Sequence, residues 1–302
     1  MLAIDSFGMR MFGKKKVKDS DCIVVGFAPT AVYFYSKQKD HEFTVKQVSD
    51  ISEYAKVVSE VFTELHVTKK TPVRALLLRG QYSNIQIDKP KTPEEEMAGA
   101  VQWAIKDYVQ DTVTNFAVDY VDMPKSPSYP NDKILVVSAQ KRIVKAIIDA
   151  VTEHAALSDI SVEEISLADL FDENDEQAHM ILFQPEGYDL NLITIWHSRL
   201  FFTRSLRGFK DLYKYQKGSI DNDMFDNLSL ELQRSLDYMV AQLKLPAPKL
   251  LTIALDCPDR ESIADYLTNT YSFQTNVISE EVGKNSVIYL SLVALAKAGK
   301  KA

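Results

Sequence analysis

Glycine is scarce in this chain, with 10 residues in 302, about half the usual share. Loops that cradle phosphate depend on glycine for close backbone approach and left-handed turns, so few places are left for such a loop. Cysteine is scarcer still. Cys22 and Cys257 stand alone, with no spacing motif, which excludes a disulfide framework and a cysteine zinc site and suits a reducing cytoplasm. His41, His66, His154, His179 and His197 share no ligand spacing, so no metal is expected. Neither a Gly-x-Ser-x-Gly elbow nor a Walker A sequence occurs, which removes two common hydrolase and NTPase signatures. No apolar run reaches the roughly eighteen residues of a membrane span, and the N-terminus lacks the apolar core of a signal peptide. Positive charge is the minority sign, with 35 Lys and Arg against 42 Asp and Glu and a net charge of -7. That balance argues against a nucleic-acid binder.

What is present is ordinary globular composition, 46% hydrophobic and 25% charged, over a length with room for two domains. Residues 1–20 read as a disordered arm, with Met9 and Met11 as alternative starts. Lys14, Lys15, Lys16 and Lys18 make it basic. It is read as a solvated tail; near an anionic membrane surface each basic residue adds about 1 kcal/mol of attraction.

From Cys22 onward, CIVVGF, AVYFYSK and EFTVKQV are three strand-like runs. Ser49 to Leu65 has helical apolar spacing, and Val73 to Leu78 is a strand. The second half repeats this order. His179–Phe183, Leu190–Trp196 and Leu200–Ser205 are strands, and a helix from Asn222 to Leu243 carries the stripe Phe225, Leu228, Leu232, Leu236, Met239, Leu243. A strand at Leu250–Leu255, a crossover helix at Asp259–Asn269, a strand at Gln274–Ile278 and a helix at Ser286–Ala298 complete it. The first half carries an insertion, residues 82–155: strand, helix from Pro93, strand, strand, helix from Gln140. Its two helices are expected on one face of a three-stranded sheet, and the first domain resumes with a strand at Ile160–Ile165. Thr92, Pro93 and Glu95 predict a capping box opening the inserted helix, so Glu94, Glu95 and Glu96 are capping and dipole groups, not catalysts. The acidic run Asp172, Glu173, Asp175, Glu176 reads as a solvated linker. Trp103 and Trp196 are expected to pack at least partly, although exposed aromatics can also anchor a partner.

The segments TPEEEMAGAVQWAIKDYV, FAVDYVDM, ILVVSAQKRIVKAIIDAV, LFFTRSL and LSLELQRSLDYMVAQL, in that order, resemble the PilM group, the actin-like assembly proteins of type IV pili. Within that group they are most similar to the MshI type of mannose-sensitive haemagglutinin (MSHA) pili. The cytoplasmic domain of the type II secretion protein GspL is a related possibility; the lack of a span argues against a full-length GspL. The resemblance covers roughly Ile23 to Ala298. It implies an α/β, actin-like (ribonuclease H-like duplicated) two-domain fold with a βαββα insertion subdomain in the first half. The first actin-like domain is then 21–81 with 156–173, the insertion 82–155, and the second domain 178–282. Residues 283–302 return to the first domain as a C-terminal helix.

The resemblance also implies a nucleotide cleft between the halves, and there this sequence departs from the pattern. The first phosphate turn is Gly26-Phe27-Ala28-Pro29-Thr30, with no acid, and Pro29 has no N–H. The second is Gln184-Pro185-Glu186-Gly187-Tyr188-Asp189. The Gly-Gly expected after the Arg204 strand is reduced to Gly208, and the adenosine loop is Asp256-Cys257-Pro258-Asp259 without glycine. Phosphate needs converging N–H groups, and magnesium a held carboxylate. The expectation is a degenerate site, no cofactor and no enzyme. The implied role is a cytoplasmic scaffold at the inner-membrane face. It would bind the N-terminal segment of a bitopic PilN-like (MshJ-like) partner in a groove between the first domain and the insertion. Tyr33, Arg79 and Trp103 are the groove candidates, and an assembly ATPase is a further implied partner. The alternative is an ATP-binding protein or weak ATPase using ATP with magnesium, with Gly26, Asp189, Arg204, Gly208 and Glu231 near the cleft. A polymer former is a third class.

Overall fold

The computed structural model describes residues 22–36, 42–109, 112–125, 128–271, 273–278 and 287–297. The N-terminal arm with its lysine cluster, and the expected helix ends Ser286 and Ala298, lie outside the described residues. The chain forms two compact units. The first holds the chain up to Asp122, Asn131–Ser166 and the segment from Leu292; the second holds Met123–Pro130 and Leu167–Ser291.

In the first unit β1 (Ile23–Ala28), β2 (Ala31–Ser36) and β3 (Glu42–Gln47) run antiparallel in succession. Helix α1 (Tyr54–Glu64) carries the chain to β4 (Pro72–Leu77), which lies parallel to β1. Then follow β5 (Tyr82–Asp88), α2 (Glu94–Ala104), β6 (Phe116–Asp122), β7 (Lys133–Gln140) and α3 (Lys141–Thr152). After them β8 (Ala156–Val162) pairs in parallel with β4. The main sheet has the order β3-β2-β1-β4-β8, and β5-β7-β6 form a separate antiparallel sheet. All six residues of β1 and five of six in β4 are buried, which is why both strands are continuous apolar runs rather than alternating ones.

The insertion has the expected βαββα order, but its two helices part company. Met97, Val101 and Ile105, from α2 and the turn after it, close over Ile134 and Val136 of the small sheet, flanked by Ile85, Ile87, Val118 and Tyr120. Helix α3 buries Ile143, Val144, Ile147, Ala150 and Val151 and packs chiefly on α1, not beside α2. The reason is topological: β4 and β8 are parallel, so a crossover must join them, and α3 is its last leg. The strand expected at Ile160–Ile165 starts earlier, at Ala156, and ends at Val162. Glu163 and Glu164 then open the short helix α4 (Glu163–Leu167). The predicted capping box does not form. Pro93 occupies the N-cap with extended ψ 154°, no side chain caps it, and the Thr92 hydroxyl faces Met97 Sδ at 3.9 Å. The three glutamates still fill the first turn.

The second unit repeats the plan: β9 (His179–Gln184), β10 (Leu190–Trp196), β11 (Arg199–Leu206), α5 (Asn222–Asp237), β12 (Leu250–Leu255), α6 (Arg260–Thr270) and β13 (Gln274–Val277). Its sheet order, β11-β10-β9-β12-β13, is that of the first sheet position for position. Asp221 caps α5 by accepting from the Met224 N–H at 2.8 Å, and the helix widens into a π-turn at Tyr238–Gln242. Met123–Pro130 belongs to this unit although it interrupts the insertion; Tyr129 stacks on Phe201 at 6.2 Å. The last helix, α7 (Ile288–Lys297), begins in the second unit and ends in the first. Within the first unit its Leu292 lies against Gly26, and its Leu295 carbonyl accepts from Arg74 Nη1 at 2.6 Å.

Candidate functional site

Gly26 is not in a turn. It pairs with Tyr33 and Leu76 in mid-strand, and a Cβ there would come within 3.0 Å of Leu292 Cδ2. Its lack of a side chain admits α7. With Ala28 paired to Ala31, the first turn is only Pro29-Thr30, not the five residues expected. Pro29 has no N–H, and the Thr30 carbonyl is taken by the Val48 N–H at 2.9 Å.

In the second unit, Asp189 is exposed at the end of the β9–β10 turn, and its carbonyl accepts from Asn191 Nδ2 at 2.7 Å. Gly187 in that turn and Gly208 after β11 have left-handed φ of 79° and 94°. Arg204 and Glu231 are brought together. Arg204 Nη2 pairs with Glu231 Oε2, and Nη1 donates to Ser235 Oγ at 2.9 Å. Glu231 also bonds Arg234. The glutamate thus clasps β11 to α5. Neither Asp189 nor Gly208 joins this pair, and Gly26 belongs to the other unit.

Two residues that the sequence reading passed over dominate these loops. Asp256 Oδ2 accepts from the Glu186 N–H at 3.0 Å, and Oδ1 from the Val287 N–H at 2.9 Å. Asp259, 1% exposed, accepts from the Gly218 N–H at 2.8 Å, the Ile220 N–H at 3.4 Å and Ser262 Oγ at 2.6 Å. Burial works against its charge, but the donors of Gly218, Ser262, Ile220 and Ser219 outweigh it and hold the carboxyl below the usual range. A signal was available in the sequence: two acids flank Cys257-Pro258 where a glycine-rich loop was expected.

The second candidate region is the junction between the main sheet and the insertion. Arg79, just after β4, donates its backbone N–H to Glu163 Oε2 at 3.0 Å and its Nη2 to Glu164 Oε1 at 3.1 Å. The Tyr82 hydroxyl, at the start of β5, donates to Glu164 Oε2. Arg79 Nε also lies 3.4 Å from Glu163 Oε2, so two buried carboxyls share one guanidinium. Burial pushes Glu163 from 4.5 up to about 8; Arg79 opposes this and Glu164 adds to it. Tyr82 is raised well above its usual range by burial and then by Glu164. Glu163 therefore holds its proton beside the Arg79–Glu164 pair. Glu163 Oε1 is buried without a hydrogen-bond partner.

Tyr33 is half-buried on β2, stacks on Phe43 at 6.1 Å and pairs with Val45 of the edge strand β3. Trp103 is 69% exposed, against the expectation of packing. It sits opposite the stripe Met97–Val101 that covers the small sheet, so its ring faces outward, with Lys106 Nζ 4.4 Å above it. Tyr108 nearby is also exposed. Trp196 is partly buried and donates to the Glu176 carbonyl at 3.1 Å, which ties down one end of the acidic linker. No described bond joins Tyr33, Arg79 and Trp103 to one another.

No family model and no curated protein matches this chain. Solved structures do. A PilM–PilN type IV pilus biogenesis complex matches 94% of this chain and 100% of its own, with TM-score 0.67 and 16% identity. A Bacteroides thetaiotaomicron protein of unknown function with an actin-like ATPase fold matches 91% and 96%, with TM-score 0.52 and 12% identity. The cytoplasmic domain of EpsL, an inner-membrane component of the Vibrio cholerae type II secretion system, matches 91% and 94%, with TM-score 0.51 and 10% identity. The fold is therefore actin-like, with the duplicated sheets and the insertion described above. No helix among the described residues is long and apolar enough to cross a membrane.

Proposed function

We propose that this chain is a non-catalytic, actin-fold adaptor of a type IV pilus assembly machine, of the MSHA (MshI) type. It works at the cytoplasmic face of the inner membrane and binds the N-terminal segment of a bitopic PilN-like (MshJ-like) protein. The observation that carries this reading is the full-length likeness to the PilM–PilN complex structure. The loops support it: the first turn is two residues long, and the second unit's turns are bonded to internal carboxylates. The partner surface is assigned to the Arg79 junction and to the outward Trp103 of the insertion, with Tyr33 beside the edge strand β3. An assembly ATPase is proposed as a second partner.

The test is fluorescence anisotropy with the purified chain and labelled N-terminal peptides of candidate bitopic partners. Saturable binding is expected, weakened about tenfold or more by Trp103→Ala, with an unchanged melting temperature because the ring is exposed. Failure of every such peptide to bind would remove the adaptor assignment. The competing reading, an ATP-binding protein or weak ATPase with magnesium, draws on the left-handed Gly187 and Gly208 and the exposed Asp189. A saturable magnesium-ATP shift in melting temperature, abolished by Asp189→Ala, would favour it.

A further inference from the structure

The turn Asp256-Cys257-Pro258-Asp259 joins β12 to α6, and both of its carboxylates accept from backbone N–H groups. Four backbone N–H groups define what they reach: Glu186 at 3.0 Å, Val287 at 2.9 Å, Gly218 at 2.8 Å and Ile220 at 3.4 Å. These donors come from three separate places in the chain: the β9–β10 turn, the approach to α5 and the approach to α7. The Asp256 N–H itself donates to the Gln184 carbonyl at 2.9 Å, which extends the β9–β12 pairing and fixes the turn over the sheet end. The Cys257 thiol donates to the Leu212 carbonyl at 3.1 Å and holds the turn from the other side.

Backbone N–H groups that converge from several loops form an anion receptor. Here the anion belongs to the chain. We propose that the two carboxylates of this turn are built-in ligands that fill the anion-receiving backbone of the second half. Asp256 spans the β9–β10 turn and the start of α7, and Asp259 gathers the approach to α5. The actin-like fold implies ATP at the β9–β10 turn and at this turn, and the residues present do not fit it, because a tethered carboxylate competes at very high effective concentration. The proposal deepens the non-catalytic part of the adaptor reading and rests on it, but not on any partner.

Removing the Asp256 carboxylate leaves the Glu186 and Val287 N–H groups without an acceptor. A small external anion should then take its place. The test is thermal unfolding of the full chain, comparing wild type, Asp256→Ala and the control Leu267→Ala, whose side chain is buried in α6. Each is measured in sodium chloride, sodium formate and sodium phosphate at equal ionic strength. Asp256→Ala should melt about 3–8 °C below wild type. It should recover about 2 °C or more in formate or phosphate at tens of millimolar, by mass action. Wild type and Leu267→Ala report any general salting effect. If Asp256→Ala does not fold, Asp256→Asn, which keeps one acceptor oxygen, is measured in the same way. A recovery no larger than that of Leu267→Ala overturns the proposal. So does a saturable rise in wild-type melting temperature with magnesium ATP, which needs no variant. Peptide binding by wild type is scored separately, so the adaptor assignment can stand or fall on its own.

Discussion

Arg74 and Asp159 meet 85 residues apart as a bidentate pair, Nε to Oδ1 at 2.8 Å and Nη2 to Oδ2 at 2.6 Å, with both side chains 4% exposed. The remaining nitrogen, Nη1, donates to the Leu295 carbonyl of α7. One guanidinium thus fastens neighbouring strands and the last helix together. Arg74→Met leaves the Asp159 carboxylate buried without its partner, and a loss of about 3–5 kcal/mol is expected. Arg74→Met/Asp159→Leu should recover much of it, because the unpaired charge is gone. Urea midpoints of the single and double variants measure this; equal losses in both would refute the ion-pair explanation.

Glu163 gives the stability a pH dependence with a definite sign. Its folded value, about 8, lies above the ordinary 4.5, so the folded chain holds a proton that the unfolded chain releases. Its contribution is complete below about pH 4.5 and is lost as pH rises towards 8, at no more than about 1.4 kcal/mol per pH unit. Asp175 and Asp259 are depressed instead; their contribution is lost only on acidification, below about pH 4. Urea midpoints from pH 5 to 9 should decline with pH for wild type and flatten for Glu163→Gln. Parallel profiles would show that Glu163 does not titrate in this window.

Gly26→Ala places a methyl 3.0 Å from Leu292 Cδ2 and 3.2 Å from Leu78 Cδ1. Both leucines are buried, so overpacking should cost about 1–3 kcal/mol. In a double-mutant cycle with Leu292→Val the two changes should couple favourably by about 0.5 kcal/mol or more. Additive losses would mean that the crowding is relieved elsewhere.

His66 ends α1 in the left-handed region, at φ 55°. The Val67 N–H bonds the Phe62 carbonyl at 2.8 Å and the His66 N–H bonds that of Thr63 at 3.1 Å, the pattern that favours glycine. The side chain is exposed, so His66→Gly should stabilise the chain by about 0.5–1 kcal/mol. A calorimetric melting temperature that falls would show that the imidazole makes a contact worth more than the backbone strain.

The sequence made the duplicated order legible because both sheets are built from short apolar runs bounded by clear turns. Leu190–Trp196 and Leu250–Leu255 were located to the residue. Capping at α2 misled, since Thr92 and Glu95 satisfy the motif while Pro93 takes the cap. The destination of α3 was hidden because an apolar stripe tells which face is buried, not against what. The site was less legible for the same reason. Glu163 and Glu164 fall inside the expected strand Ile160–Ile165 with nothing to mark them, and it is the fold that brings Arg79 beside them from 84 and 85 residues away. Asp256 and Asp259 marked an absence of glycine, and only the geometry shows what they do instead.

Helix α7 follows the whole of the second unit in sequence, yet its second half packs in the first unit, to which β1 belongs. Until Leu292 and Leu295 emerge, Gly26 lacks its contact with α7 and Arg74 lacks its third acceptor. The first unit therefore cannot mature during synthesis ahead of the second. Its final packing waits until the second unit has been made, so loss of the Leu292–Leu295 turn is a defect of the first half.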